Sequence, residues 1–303
     1  MGKIALLIVY NHRFDRNITI LENLLSDKWS HIYHIIPFYD GKKENVISVY
    51  ENSYFYQGYL AQAFHLLRNE EYDHYVVMAD DMVLNHILNE NNILSELNLG
   101  EHDSYFPVFM NLQEGKHDNI TYAASYRLKQ KGAEIVNILP PKETAQKIFE
   151  EKGFCSNPKI TAYTALRNIL ACHIVDMRSF IRYIGRIAKN IFSRIEFDYP
   201  LVGGISDFFI IDKNSVERFT QYCGAFAATN LFIEIGLPTS LILASKNVKT
   251  EDSANSLKSM YLWGNEIDEF GKKYNFNYKQ LVNNYPKDTL FIHPIKLSKF
   301  KVE

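Results

Sequence analysis

The chain has 303 residues, of which 47% are hydrophobic and 22% are charged. This composition is that of an ordinary globular protein and excludes collagen-like, low-complexity and disordered classes. The formal net charge of -2 provides no global positive field, so we expect no nucleic-acid partner. The length accommodates two modest domains, or one large α/β domain with an extension.

The cysteines and the amino-terminal segment indicate the compartment. Cys155, Cys172 and Cys223 are far apart and form no CxxC pair, which is typical of reduced thiols. The apolar run at residues 4–10 is too short to span a bilayer and lacks a small-residue cleavage site. We therefore expect a cytoplasmic protein.

The amino-terminal third alternates strands and helices. Strands are predicted at residues 4–10, 31–38 and 72–78, and helices at residues 17–26 and 57–69. Continuous aliphatic runs are typical of strands that are buried on both faces of a parallel sheet. The alternation predicts an α/β protein with a doubly wound, mostly parallel sheet flanked by helices, whose ligands bind beyond the carboxyl ends of the strands.

The rest of the chain is less regular. Further strands are expected at residues 105–110, 208–211 and 289–292, and helices at residues 142–152, 213–222 and 231–243, the last with a break at Pro238, and in the tail after residue 255. A helical insertion at about residues 160–196 carries basic residues among aliphatic ones. We divide the chain into segments 1–110, 111–254 and 255–303.

Two strand ends carry chemistry suited to a metal and a phosphate. Asp80 and Asp81 directly follow a predicted strand, where carboxylates can hold a divalent cation against phosphate oxygens. A helix cap or a solvated turn is the alternative for such a pair. His293 and Lys296 follow another strand, where an imidazole can complete the coordination of a metal and an ammonium group can neutralise a phosphate. Taken alone, a late His and Lys are more often ordinary surface residues.

The middle of the chain offers two more candidates. Gly203 and Gly204 lack side chains and would let a ligand approach the backbone closely, while Asp207 just after them can accept hydrogen bonds from hydroxyls. Glu234 lies in an apolar run, where a carboxylate costs free energy unless it is paired or functional. A plain turn and a solvent-facing helix residue are the respective alternatives.

Missing motifs narrow the function further. The sequence contains no GxGxxG, GxxxxGK[ST], HExxH or GxSxG pattern. Their absence disfavours dinucleotide oxidoreductases, P-loop kinases, zincins and α/β-hydrolases.

Taken in order, the candidates resemble a family. A β-α-β start, a strand ending in Asp80-Asp81, a Gly-Gly segment before a strand, a later Glu234 and a closing His-x-x-Lys are similar to a GT-A fold glycosyltransferase. The stretch Ala79-Asp80-Asp81 departs from the DxD motif of that family at its first position. The resemblance implies transfer of a sugar from a nucleotide-diphosphate-sugar, expected to be a UDP-sugar, to a glycan or lipid-linked acceptor, with Mn²⁺ or Mg²⁺ as cofactor.

The resemblance also implies a role for each candidate. Asp81 and His293 are the implied metal ligands, and Glu234 is the implied base if the enzyme inverts, with Asp207 orienting a sugar. Contacts to the nucleotide-sugar are implied for Tyr10, Asn11, Asp40, Asp80, Gly203, Gly204 and Lys296, with Tyr10 stacking on the base. Residues 1–110 then form the nucleotide-sugar half, residues 111–254 the acceptor half, and residues 255–303 the closing extension.

Other functions and a membrane contact remain open at this stage. A non-catalytic sugar-binding protein on the same fold would not need Asp81 and His293 to converge on a cation. A sugar nucleotidyltransferase also uses acidic metal sites, but here the residues after the first strand, Tyr10-Asn11-His12-Arg13, are not a glycine-rich basic loop. The basic segment Arg178–Arg194 either lies on an anionic membrane, which would place the protein at the inner face of that membrane, or presents a face that is solvated or contacts another subunit.

Overall fold

The computed structural model describes residues 3–67, 72–112, 119–135, 137–154, 177–189, 196–253 and 257–301. The strands are β1 (Ile4–Val9), β2 (Ile32–Pro37), β3 (Val46–Val49), β4 (His74–Ala79), β5 (Val83–Leu84), β6 (Asp103–Tyr105), β7 (Phe109–Met110), β8 (Gly203–Gly204), β9 (Phe208–Asp212), β10 (Asn247–Lys249), β11 (Lys258–Tyr261) and β12 (Thr289–His293). The α-helices are α1 (Arg16–Leu25), α2 (Gln57–Leu67), α3 (Ile93–Glu96), α4 (Ile120–Ser125), α5 (Lys142–Glu151), α6 (Met177–Lys189), α7 (Lys213–Ala228), α8 (Ile233–Ala244), α9 (Glu266–Lys273) and α10 (Tyr278–Asn283).

A seven-stranded sheet in the order β10-β6-β9-β4-β1-β2-β3 forms the centre of the fold. Strands β1 to β4 run parallel to one another, and β9 is antiparallel to both of its neighbours, β4 and β6. The predicted α/β architecture with a mostly parallel sheet is confirmed. Strands β1 to β4 and β6 come from residues 1–110, and β9 and β10 come from residues 111–254. The two segments therefore share one sheet.

Helices cover both faces of this sheet because successive side chains of a strand point to opposite sides. In β1, Leu6 and Ile8 belong to the core that includes the apolar face of α1. Their neighbours Leu7 and Val9 belong to the core that includes α2 and α7. This two-sided burial explains the continuous aliphatic run of β1.

A smaller sheet brings the end of the chain to the central sheet. It has the order β11-β12-β5, with β12 parallel to β11 and antiparallel to β5. Just past β12, the amide of Ile295 donates a hydrogen bond of 2.6 Å to the carbonyl oxygen of Asp81. His293, the last residue of β12, is thereby placed beside the end of β4.

Several predicted elements need correction. The expected break at Pro238 is wrong, since α8 runs through it. A proline inside a helix costs about 3 kcal/mol, and nearly complete burial of α8 offsets that cost. The predicted strand at residues 105–110 is split into β6 and β7 around Pro107, which cannot donate a ladder hydrogen bond. Of the helical insertion at residues 160–196, the described residues contain α6, and the remainder lies outside the described ranges.

The structure also bears on the thiols and on membrane insertion. Cys223 is a buried free cysteine, and burial raises the pKa of its thiol, which makes it unreactive. Cys155 and Cys172 lie outside the described residues. Within the described ranges, no helix combines the length and apolar character needed to cross a bilayer.

Candidate active site at the carboxyl edge of the sheet

Three charged side chains from three elements meet at the carboxyl edge of β4. His293 places its Nδ1 atom 3.1 Å from Oδ1 of Asp81 and its Nε2 atom 3.2 Å from Oδ2 of Asp207. Backbone contacts fix both carboxylates, since the amide of Ala79 donates to the carbonyl oxygen of Asp207 and that of Ile295 donates to Asp81. The imidazole therefore lies between two carboxylates that precede or follow strands of the central sheet.

The two carboxylates control the charge of the imidazole. Burial alone would lower the pKa of His293, but Asp207 and Asp81 outweigh it and raise the pKa to about 10. His293 is therefore protonated at neutral pH in the metal-free protein. A cation that binds this imidazole must displace its proton, so metal affinity should weaken as the pH falls.

Asp80 occupies a different environment from Asp81. It is 4% exposed, and its Oδ2 atom accepts a hydrogen bond of 2.8 Å from Nδ2 of Asn17 in α1. Burial, followed by the nearby charge of Asp81, raises the pKa of Asp80 to about 7. The predicted contact of Asp80 with the donor is corrected, because its carboxyl group lies beneath the site, whereas the Asp81 side chain is 37% exposed.

These pKa values predict how stability depends on pH. Asp80 and His293 both have folded-state pKa values above their ordinary ones, so each stabilises the fold at low pH. The Asp80 contribution is lost as the pH rises through about 7, and that of His293 as it rises through about 10. We expect the Tm of the metal-free protein to fall by at least roughly 3 °C between about pH 5.5 and about pH 8.5.

Thermal unfolding followed by circular dichroism in the presence of a chelator measures this profile. Asp80→Asn keeps the size of the side chain and an oxygen that can accept from Asn17, and should flatten the profile below pH 7. The same slope in the variant and in the unaltered protein would contradict the assignment of this dependence to Asp80.

Glu234 is hydrogen-bonded to the start of a neighbouring helix, α4. It is half-buried in the first turn of α8, and its Oε2 atom accepts a hydrogen bond of 2.7 Å from Nδ2 of Asn119. Burial, and then the charge of Asp207, raises the pKa of both Tyr56 and Tyr261, with a smaller contribution from Glu234.

The loops after β1 and β2 carry the residues predicted to bind the nucleoside. Tyr10 is fully buried, and its hydroxyl forms a hydrogen bond of 2.8 Å with Nδ1 of His34. Its ring has no open face for a base, which corrects the predicted stacking role. Asn11 follows it and is half-buried. Asp40 is exposed and pairs with Arg13, whose guanidinium holds the pKa of that carboxyl below its usual range.

The sequence analysis missed an exposed aromatic pair at the same edge. Phe38 follows β2 and Tyr50 follows β3, and their side chains are 59% and 67% exposed. Their rings contact edge to face with centroids 5.8 Å apart. Phe38 has a φ of 54°, which is unusual for a bulky residue and aims its side chain out of the strand. The aromatic residues were visible in the sequence, but this backbone conformation was not.

The structure changes the prediction for the two glycines, and the phosphate contact of Lys296 stays a prediction. Gly203 and Gly204 form β8 and are buried against β7, and a Cβ atom on Gly204 would collide with the ring of Phe106. These glycines therefore make room for protein side chains and not for a ligand. Lys296 lies in an exposed ion pair, with its Nζ atom 3.2 Å from Oδ1 of Asp268. A pair of this kind contributes little, so it does not hold the ammonium away from a phosphate.

The fit of a cation rests on Asp81 and His293. Among the residues that the structure describes, no group of three or more His, Cys, Asp or Glu side chains could hold a metal ion. However, Oδ1 of Asp81 and Nδ1 of His293 are buried and 3.1 Å apart, and within the described part of the chain neither atom has a hydrogen-bond partner outside this ion pair. Magnesium sites commonly take one or two protein ligands and complete their coordination with water and substrate phosphates. This pair, one carboxylate oxygen and one imidazole nitrogen, could hold such a cation once the imidazole has lost its proton.

Comparison with known proteins leaves the family open. No protein-family model matches this chain, and no curated protein matches it. Among solved structures, it is similar to the X-ray structure of the mannosyltransferase Ktr4p from S. cerevisiae, with a TM-score of 0.31 and 10% sequence identity. The similarity covers 84% of this chain and 69% of that chain. A TM-score this low assigns neither a fold family nor an activity.

Proposed function

We propose that the protein is a metal-dependent glycosyltransferase that moves a sugar from a nucleotide-diphosphate-sugar to a hydroxyl group of a glycan or glycolipid. The observation that supports this most is the buried, closely spaced pair of Asp81 and His293 at the carboxyl edge of the sheet. A divalent cation held by this pair supplies positive charge that stabilises a departing diphosphate. A protein that only binds a sugar has no need for this pair.

The donor has a place along the same edge. The nucleoside would lie beyond the ends of β1, β2 and β3, where Phe38 and Tyr50 offer exposed rings for a base. Asp40 can accept a hydrogen bond from the base or the ribose, and Arg13 beside it can contact a phosphate. The aromatic pair takes over the role that the sequence analysis gave to Tyr10.

The transfer itself uses the carboxylates near β9 and α8. The acceptor oxygen forms a bond with the anomeric carbon while the bond from that carbon to the diphosphate oxygen breaks, and the nucleoside diphosphate leaves with the electron pair. In an inverting reaction Glu234 takes the proton of the acceptor hydroxyl, and Asn119 orients the carboxylate. Asp207, fixed through the amide of Ala79, orients a sugar hydroxyl.

Thermal shifts with nucleotides test this function. UDP, GDP, CDP and dTDP and their sugar conjugates are added with and without Mn²⁺, because a ligand that binds only the folded state raises its stability. We expect a Mn²⁺-dependent rise in Tm for one nucleotide, UDP being the expected one. No shift with any of them contradicts the proposal and favours a sugar-binding protein. UTP, GTP, CTP and dTTP are tested in the same way, and a shift with one of them, without a shift for the corresponding sugar conjugate, favours a nucleotidyltransferase.

A further inference from the structure

A cleft of about 780 Å³ lies between the segments that precede α2 and α8 and the helices α4 and α6. Its lining includes the rings of Tyr54, Tyr122 and Phe232 and the guanidinium groups of Arg178 and Arg182. Among the described residues that line it, none is acidic. The cleft therefore combines aromatic surface with two guanidinium groups.

Two walls of the cleft belong to segments that carry or contact Glu234. Phe232 immediately precedes α8, which carries Glu234 in its first turn. Tyr122 lies in α4, and Asn119 at the start of that helix donates a hydrogen bond to Glu234. A molecule in the cleft therefore lies near Glu234.

The aromatic wall suits the apolar face of a sugar ring. The rings of Tyr122 and Phe232 are stacked, with centroids 4.7 Å apart and planes inclined by 25°. Tyr54 extends the wall, with its ring centroid 6.3 Å from that of Phe232 and its side chain 49% exposed. Gln130 and Asn230, which also line the cleft, carry amides that can bind hydroxyl groups. Apolar walls with a few placed polar groups are typical of small-molecule sites.

The positive charge comes from one helix. Arg178 and Arg182 are both exposed and lie one turn apart on α6, so their side chains project from the same face. The planar guanidinium group matches carboxylate and phosphate oxygens in a bidentate fashion. Two such groups at one end of an aromatic wall are suited to an anionic substituent on a sugar.

We infer that this cleft is the acceptor site and that the acceptor is a saccharide carrying an anionic group, either a carboxylate or a phosphate. Arg178 and Arg182 bind the anion, and the wall of Tyr54, Tyr122 and Phe232 packs against the sugar ring. The inference rests on the proposed function, because it places the acceptor hydroxyl near Glu234. It adds a substrate class and names the residues that select it.

Direct binding of four probes tests the inference. Saturation-transfer NMR measures the affinity for a disaccharide of glucuronic acid and N-acetylglucosamine, its neutral methyl ester, glucose 1-phosphate and methyl glucoside. The variants are Arg178→Gln combined with Arg182→Gln, Tyr54→Ala, and Lys189→Gln as the control. Lys189 is an exposed cation on the same helix and does not line the cleft. All four substituted side chains are largely exposed, so the fold should persist.

We expect the unaltered protein to bind at least one acidic probe roughly tenfold more tightly than its neutral counterpart. The double arginine variant should lose this preference, and Lys189→Gln should keep it. Tyr54→Ala should weaken acidic and neutral probes alike. Preference for the uronate alone identifies a carboxylate acceptor, and preference for glucose 1-phosphate alone identifies a phosphorylated one.

Other results overturn the inference. Equal binding of acidic and neutral probes would show that the site does not select an anionic group. A preference for acidic probes that persists in the double arginine variant would show that Arg178 and Arg182 do not bind the anion. The protein could instead pellet with phosphatidylglycerol vesicles, lose this binding in the double arginine variant and bind no saccharide. That result would overturn the inference and indicate that the two arginines contact a membrane surface. The nucleotide panel on the same samples separates the two proposals. A nucleotide shift without saccharide binding overturns only the acceptor site, and acidic saccharide binding without a nucleotide shift overturns the transferase.

Discussion

Replacing Glu234 with Gln is expected to reduce kcat for sugar transfer by at least about 100-fold, since a positioned general base contributes about 10² to 10⁴ to the rate. The amide keeps an oxygen that can accept the hydrogen bond from Asn119, so the loop and helix should be undisturbed. It cannot take the proton of the acceptor hydroxyl. Release of nucleoside diphosphate from the donor in the presence of acceptor measures the rate, and nucleotide affinity measured alongside should be unchanged.

A matched control separates the role of Glu234 from a general effect of removing a carboxylate. Glu217 is exposed on α7, and Glu217→Gln should leave both the rate and nucleotide affinity as they are. Full activity of Glu234→Gln would remove this residue from the mechanism, as a retaining reaction would require. A loss of nucleotide affinity in that variant would instead indicate that the substitution disturbs the donor site.

The fold was predictable where local sequence determines it. The aliphatic runs of β1 and β4 and the apolar periodicity of α2 are properties of short segments, and each element forms close to its predicted residues. The order of strands is a property of tertiary pairing. Nothing local in the sequence showed that β9 would insert antiparallel between β4 and β6, or that β10 would extend the sheet beyond β6.

The charged residues of the site could be identified from the sequence, but the positions of its aromatic side chains and the cleft could not. Asp81 and His293 were each identified separately, and the structure places their facing atoms 3.1 Å apart. The role of Tyr10 was mistaken because an aromatic residue at a strand end can either stack on a ligand or pack in the hydrophobic core. Here the hydroxyl of Tyr10 is hydrogen-bonded to His34 inside the protein. The basic character of α6 was evident, but its cleft was not, because the facing aromatic residues come from three distant segments.

Replacing Asp81 with Asn is expected to remove the Mn²⁺ dependence of nucleotide binding. The neutral amide oxygen is a poorer ligand for a hard cation than a carboxylate. A weakening of at least roughly 100-fold in the presence of Mn²⁺ corresponds to about 2.7 kcal/mol. His293→Gln, which removes the imidazole opposite, should have a similar effect. Thermal shift with Mn²⁺ and the nucleotide measures affinity, and the electron paramagnetic resonance signal of free Mn²⁺ measures metal uptake independently of activity.

The Asp81→Asn variant should still fold, because the backbone bond from Ile295 reaches the carbonyl oxygen of Asp81 and not its side chain. As a control for charge, Asp252→Asn removes a carboxylate that is 98% exposed and should change neither metal uptake nor nucleotide affinity. Unchanged affinity of Asp81→Asn with and without Mn²⁺ would refute the metal assignment. In that case the contact between Asp81 and His293 is an ordinary ion pair, and the carboxylates around His293 serve only to keep the imidazole charged.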